Sequence, residues 1–158
     1  MGVEIERKFL VTSDDWRLGE GVHFRLGYLC AGEGRTVRVR TEGERAVITL
    51  KGRMEGVSRA EYEYEIPFDE AVEILDTLCV GPLIEKRRRR IEHAGMVWEV
   101  DEFLGENEGL VVAEIELETE EQSFERPDWV GAEVSGDDRY RNASLVHHPF
   151  SLWGESRD

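Results

Sequence analysis

Glu4, Glu6 and Lys8 alternate along residues 3–11, Val-Glu-Ile-Glu-Arg-Lys-Phe-Leu-Val. Side chains of a β-strand point to opposite faces in turn. Two carboxylates and an ammonium therefore leave one face of this stretch, and Val3, Ile5 and Phe9 leave the other, with Arg7 the single charge among them. Carboxylates can share a hard cation, and an ammonium can hold an anion. An edge strand blunted by Lys would carry the same residues, so the remaining strands have to decide.

The alternation recurs. Arg38 and Arg40 share a face of residues 35–41, opposite Val37 and Val39. Lys51 ends a stretch, 46–51, with Ile48 and Leu50 on its other face. Glu61, Glu63 and Glu65 oppose Tyr62, Tyr64 and Ile66 in 58–67. In 83–92, Lys86, Arg88 and Arg90 share one face and Arg87 and Arg89 the other. Glu99 and Asp101 oppose Trp98 and Val100 in 96–103, and Glu114, Glu116 and Glu118 oppose Ile115 and Leu117 in 110–118. A solvated face would mix signs within each strand. Here the first, fifth, seventh and eighth stretches carry mainly acids, and the third, fourth and sixth mainly bases. That segregation points to a barrel with its charges inside and its apolar faces outside, since barrels with polar interiors exist. A lumen with Arg and Lys on one wall and Glu and Asp on the other suits a chain of phosphates with its divalent cations. Guanidinium forks grip phosphate oxygens, and magnesium prefers carboxylate and phosphate oxygens.

The elements that must position these residues are eight strands, the second being 23–30, with a bulge expected at Gly27. Turns or loops are expected at Ala31–Gly34, Glu42–Glu44, 52–57, Ala94–Gly95 and 105–109. Ser13 to Trp16 reads as a capped turn or short helix. Asp69 is expected to cap a helix over 70–79, ended by Gly81–Pro82. Residues 120–124 read as a short helix, 127–131 as a loop and 142–148 as a last helical turn. The fold class is mainly β (α+β): an eight-stranded antiparallel barrel with flanking helices, residues 1–150 forming one domain and 151–158 a loose C-terminal tail.

The chain has 158 residues, a formal net charge of −15 and a pI near 4.7. That balance opposes nucleic acid and anionic membranes as partners. The clustered bases within it suit local capture of an anion. Cys30 and Cys79 have no metal-ligand spacing and read as small buried hydrophobes. His147 and His148 read as structural, because no third ligand accompanies them. No apolar run suggests a signal peptide or a membrane span, so a cytoplasmic protein is expected.

Glu4-Ile5-Glu6-Arg7-Lys8 resembles the ExExK signature of the CYTH superfamily, the triphosphate tunnel metalloenzymes. The resemblance continues in order through Arg38/Arg40, Lys51, Ser58-Arg59 with Glu61/Glu63, Lys86/Arg88, Asp101, Glu114/Glu116 and Asp138-Arg139-Tyr140 with Asn142. It covers nearly the whole chain, at the length of the compact bacterial members. It implies a tunnel open at both ends that binds triphosphates with Mg2+ or Mn2+. Lys8, Arg38, Arg40, Lys51, Lys86, Arg88 and Arg139 would bind phosphate. Glu4, Glu6, Glu61, Glu63, Asp101, Glu114 and Glu116 would bind or orient metal and water. Glu6, Tyr28 and Lys86 would act in catalysis, Tyr28 pairing with Lys86. The expected activity is metal-dependent hydrolysis of a triphosphate or polyphosphate, inorganic triphosphate first, by a monomer or homodimer. Adenylyl cyclisation, thiamine triphosphate cleavage and polyphosphate binding without turnover are the alternatives.

Overall fold

A single sheet rolls up until its first strand meets its fifth. In a computed structural model describing residues 2–32 and 34–154, the strands are β1 (Val3–Val11), β2 (Val22–Gly32), β3 (Arg35–Glu42), β4 (Arg45–Gly52), β5 (Ser58–Glu65), β6 (Val80–His93), β7 (Met96–Phe103), β8 (Val111–Glu116) and β9 (Val130–Glu133). The helices are α1 (Phe68–Thr77) and α2 (Asn142–His147). The order is β5-β4-β3-β2-β6-β7-β8-β1, and the register pair Glu4–Arg59 belongs to the β1–β5 ladder that closes the ring. All pairings are antiparallel. β9 lies outside the eight-stranded barrel, paired with the far end of β1. The bounds of β1 and β7 are those the alternation predicts. A two-residue turn, Ala94–Gly95, joins β6 to β7 with both residues at positive φ, the geometry that matches the twist of a hairpin.

The apolar faces lie outside and are covered piece by piece. Ala71 and Leu75 of α1 pack with Val39 and Ala46 on the outer surface of β3 and β4. The chain after β8 wraps the outer surface of β1, β7 and β8, burying Phe9, Trp98, Ile115 and Trp129. Trp98 meets Phe9, Phe124 and Trp129 edge-on, and such ring pairs contribute about 0.5–1.5 kcal/mol each beyond their area. A third cluster breaks that rule: Leu26, Ile84 and Phe103 lie on the inward faces of β2, β6 and β7, where with Leu145 and Trp153 they seat α2 at one end of the barrel. Val39 and Ile115 are buried beneath these covers, as expected of the outer face. Tyr62 is not: it is 52% exposed, because α1 lies over β3 and β4 rather than β5.

Several boundaries move for identifiable reasons. α1 starts at Phe68, with Pro67 rather than Asp69 at its N-cap; the ring fixes φ for helix entry, and Asp69 and Glu70 instead face the positive helix end. The predicted fifth strand therefore stops at Glu65. Gly81–Pro82 does not precede β6 but lies within it. Between the pairs Leu26–Ile84 and Tyr28–Val80 the long strand carries extra residues, Gly81 at φ +76 among them. Gly27 itself pairs regularly with Val39, and the bulge of β2 lies instead between Tyr28 and Cys30; Gly27 marks a close approach, where a Cβ would come within 2.6 Å of Cys79 Sγ. No helix forms at 120–124: the Gln122 side chain accepts from the Glu118 amide, and Phe124 is drawn into the wrap. The expected loop at 127–131 contains the start of β9. Ser13–Trp16 is a turn, its Asp15 amide donating to Ser13 Oγ. Trp153, placed in the loose tail, is buried and donates to the His148 carbonyl. Glu33 of the Ala31–Gly34 turn and residues 155–158 of that tail lie outside the described residues.

Candidate active site

Ring closure sorts the strands by charge. The acid-bearing strands β7, β8, β1 and β5 are consecutive around the barrel, and so are β4, β3, β2 and β6, of which β4, β3 and β6 hold the bases. The two halves enclose a cavity of about 750 Å³. Its lining includes Glu4, Glu6, Lys8, Tyr28, Arg38, Arg40, Lys51, Glu61, Glu63, Lys86, Arg88, Glu114 and Glu116. Arg and Lys outnumber Asp and Glu in the whole lining by eleven to eight. Arg87 is exposed, and Arg89 is spent outside on Glu102 and the Gly19 carbonyl.

Ion pairs mark the two seams between the halves. At the β4–β5–β1 seam, Lys51 Nζ lies 3.0 Å from Glu4 and 3.5 Å from Glu61. Burial works against the Glu4 charge, but Lys51 outweighs it and holds the carboxyl below its usual range. At the β6–β7 seam, Lys86 Nζ donates to Asp101 at 2.8 Å, while Arg88 forks onto both Asp101 oxygens at 2.7 and 2.8 Å. Arg88 also reaches Glu99 and Glu114. Asp101 is 0% exposed. Desolvation opposes its charge, yet Arg88 and Lys86 hold it far below the ordinary carboxylate range. Burial, only partly offset by Asp101, lowers Lys86 to about 8.

Away from the seams the charges are only partly matched: Lys8 lies 3.8 Å from Glu114. Glu6 and Glu116 are register partners on β1 and β8. Desolvation, then Glu114 and Glu4, push Glu6 well above its usual range. Glu116 is raised by burial and by Glu4, Glu61 and Glu99, and Glu61 by burial and Glu4. Like charges directly opposite each other destabilise a sheet. In the basic half, buried Arg38 makes no ion pair among the described residues, and the Nε atoms of Arg38 and Arg40 are buried without a hydrogen-bond partner. Burial and the neighbouring Arg38 lower the pKa of Arg40, whose carboxylate partners Glu42 and Glu63 stand 3.4 and 3.6 Å away. The cavity thus sets under-neutralised cations against crowded carboxylates.

Three residues stand elsewhere than the resemblance implies. Asp101 does not line the cavity; its oxygens are occupied by Lys86 and Arg88. Arg139 points away, chelating Asp137 and stacking over Tyr140 and Trp153. Arg141 lines the cavity instead. Tyr28 lines it too, but Lys86 bonds to Asp101 and to Asn142 Oδ1, 3.2 Å away, rather than to Tyr28. Sequence reasoning gave Asn142 no role. Nor did it single out Phe24, beneath Arg40, Lys86 and Arg88; its signal was the apolar inward face of β2. At one end, residues 135–147 contribute to the lining, and Lys8 Nζ donates to the Tyr140 carbonyl at 3.4 Å. His147, expected to be structural, lines that end as well.

Among the described residues, no three His, Cys, Asp or Glu side chains are close enough to hold a metal ion by themselves. The donors nonetheless fit a hard divalent cation. Glu6 and Glu116 are hydrogen-bond acceptors crowded by like charge, and magnesium usually takes one or two carboxylates together with water and phosphate oxygens.

An antiparallel barrel with a two-signed lumen is a tunnel domain. The CYTH domain family model matches residues 2–146, and the chain belongs to that family. It is similar to the inorganic triphosphatase of Acetivibrio thermocellus, 52% identical over 156 residues, which are 98% of this chain and 100% of that protein. The inorganic triphosphatase of Nitrosomonas europaea is 38% identical over 148 residues, 90% of this chain and 96% of that one. A crystal structure of an inorganic triphosphatase aligns with a TM-score of 0.64 at 35% identity, covering 92% of this chain and 95% of its own. No helix among the described residues is long and apolar enough to cross a membrane.

Proposed function

We propose that this chain hydrolyses inorganic triphosphate with Mg2+ or Mn2+ inside the barrel. The observation that carries the reading is the opposition of unpaired Arg38 to the Glu6–Glu116 pair: one needs an anion, the other a cation, and a metal-bound phosphate chain brings both. The names of the two relatives support the choice of triphosphate.

Arg38, Arg40, Lys51, Lys8 and Arg88 grip and align the phosphate oxygens. Lys86, held by Asp101 and Asn142, adds its charge beside them. Asp101 is a positioning group for Lys86 and Arg88 rather than a ligand. Glu4, Glu61, Glu63 and Glu114 complete the carboxylate side with Glu6 and Glu116. Glu6 and Glu116, with the neighbouring carboxylates, would hold the divalent cation, which would supply neutralisation of the charge that builds on the phosphate oxygens. Water attacks the terminal phosphorus in line, the P–O bond to the neighbouring phosphate breaks, and pyrophosphate leaves. A carboxylate oxygen of Glu6 accepts the proton of that water. Lys86 Nζ and the Tyr28 hydroxyl are the donors that meet the oxygen of the departing group.

Phosphate release is measured from inorganic triphosphate, ATP and thiamine triphosphate with magnesium or manganese, beside a cyclic AMP assay. Triphosphate turnover that EDTA abolishes is expected. Full activity in EDTA, or cyclic AMP as the main product, overturns the reading. Tight triphosphate binding without turnover leaves a polyphosphate-binding module.

A further inference from the structure

In the basic half, β2 presents no formal charge on its inward face. Phe24, Leu26 and Tyr28 are register partners of the inward residues Lys86, Arg40 and Arg38. An apolar strip therefore runs between two strands of bases. Phe24 is fully buried beneath three of them. The Arg88 guanidinium carbon lies 5.1 Å from its ring centroid, that of Arg40 5.2 Å, and Lys86 Nζ 5.9 Å.

We propose that Phe24 is a positioning residue for phosphate binding, an aromatic platform that gathers Arg40, Lys86 and Arg88 in the lumen without consuming their charge. This rests on the triphosphate reading above.

Three cations from two strands repel one another, and carboxylates already pair with each of them. Arg40 has Glu42 and Glu63, Arg88 has Asp101, Glu99 and Glu114, and Lys86 has Asp101. A carboxylate at position 24 would also gather them, but it would neutralise them and compete with phosphate. The face of an aromatic ring attracts cations through its quadrupole and adds no net charge. It is also dry, so the attraction is not shared with water. The same three cations line the cavity, so an anion there meets them beside the ring as well as beside their carboxylates. Leu26, next along the same face, has no such field.

The test varies the ring field at constant shape, with phenylalanines bearing one, two and three ring fluorines at position 24. The expected result is a KM for inorganic triphosphate that climbs with each fluorine, to about tenfold at three. kcat and the melting temperature stay close to those of the unsubstituted protein. Phe24→Leu shifts KM the same way and Phe24→Tyr restores it. A KM that stays flat across a folded series overturns the proposal and leaves the ring a space-filler. The dissociation constant of inorganic triphosphate, measured by calorimetry across the series, separates the two readings. Graded binding without turnover keeps the platform and removes hydrolysis. Absence of both turnover and binding in the unsubstituted protein overturns both.

Discussion

Glu6 and Glu116 face each other directly across the β1–β8 ladder, and burial and carboxylate neighbours raise the pKa of both. The pair costs the metal-free barrel stability. Glu116→Gln removes one charge at nearly constant volume, so it raises the melting temperature in EDTA, by about 0.2–1 kcal/mol of relieved repulsion. It also raises the magnesium concentration needed for half-maximal activity. Paired melts and metal titrations read both effects. A variant that is wild type in each removes Glu116 from the site.

The raised carboxyls set the pH dependence of the metal-free protein. Folded Glu6, Glu61 and Glu116 hold a proton more tightly than an ordinary glutamate, whose pKa is 4.5. In the window from 4.5 up to their raised values, stability therefore falls as pH rises. Asp101 and Glu4 act the other way: their lowered values protect the fold above the usual carboxylate range and lose that protection in acid. Melts in EDTA should peak on the acid side of neutrality and fall again in stronger acid. A saturating divalent cation should flatten the loss at higher pH. A monotonic rise of melting temperature from pH 5 to 8 in EDTA, a range of about three units chosen around these carboxyls, counts against the assignment.

Arg40→Ala removes a buried guanidinium and leaves Glu63 without a salt-bridging cation among the described residues, whereas Glu42 keeps Arg45. Losing one partner of a buried charge-assisted contact costs about 2–5 kcal/mol. The expected change is a large rise in KM for triphosphate with the metal requirement little altered. Substrate and metal titrations on one folded preparation, verified by circular dichroism, distinguish this from the Glu116 pattern. The opposite pattern would mean that the two walls have been assigned the wrong way round.

Lys86 carries its charge below about pH 8 and loses it above. Since kcat/KM reports the free enzyme, its value for triphosphate should decline on the alkaline side of that point. Lys86→Arg, charged throughout, should remove the decline even where its overall rate is lower. An alkaline limb unchanged in that variant assigns it to another group.

Much of this was legible in local pattern. The alternation of Glu4, Glu6 and Lys8, and of Arg38 and Arg40, put charge on one face of each strand, and those residues do meet in one cavity. What period-two reading could not supply was adjacency. That β1 closes on β5, making the acidic strands consecutive, depends on the whole ring, as does the lack of an ion pair to Arg38 among the described residues. Phe24 escaped notice because an apolar residue in a strand looks like core until the strands beside it are known. β9 is four residues of ordinary loop composition, recognisable only once the edge of β1 is there to receive it. Arg139 and Arg141 differ by two positions, and the turn at Asp137–Tyr140 decides which enters the cavity.

The excess of bases in the lining has a counterpart. A chain of net charge −15 that concentrates arginine and lysine in its lumen must show a still more acidic exterior. Diffusing polyanions meet that exterior first and are turned back by it, over a distance of about 10 Å at ordinary ionic strength. A phosphate chain already complexed with its cation carries less charge and is repelled less. The fold therefore sorts its visitors during approach, before any side chain touches them, in favour of the complexed form.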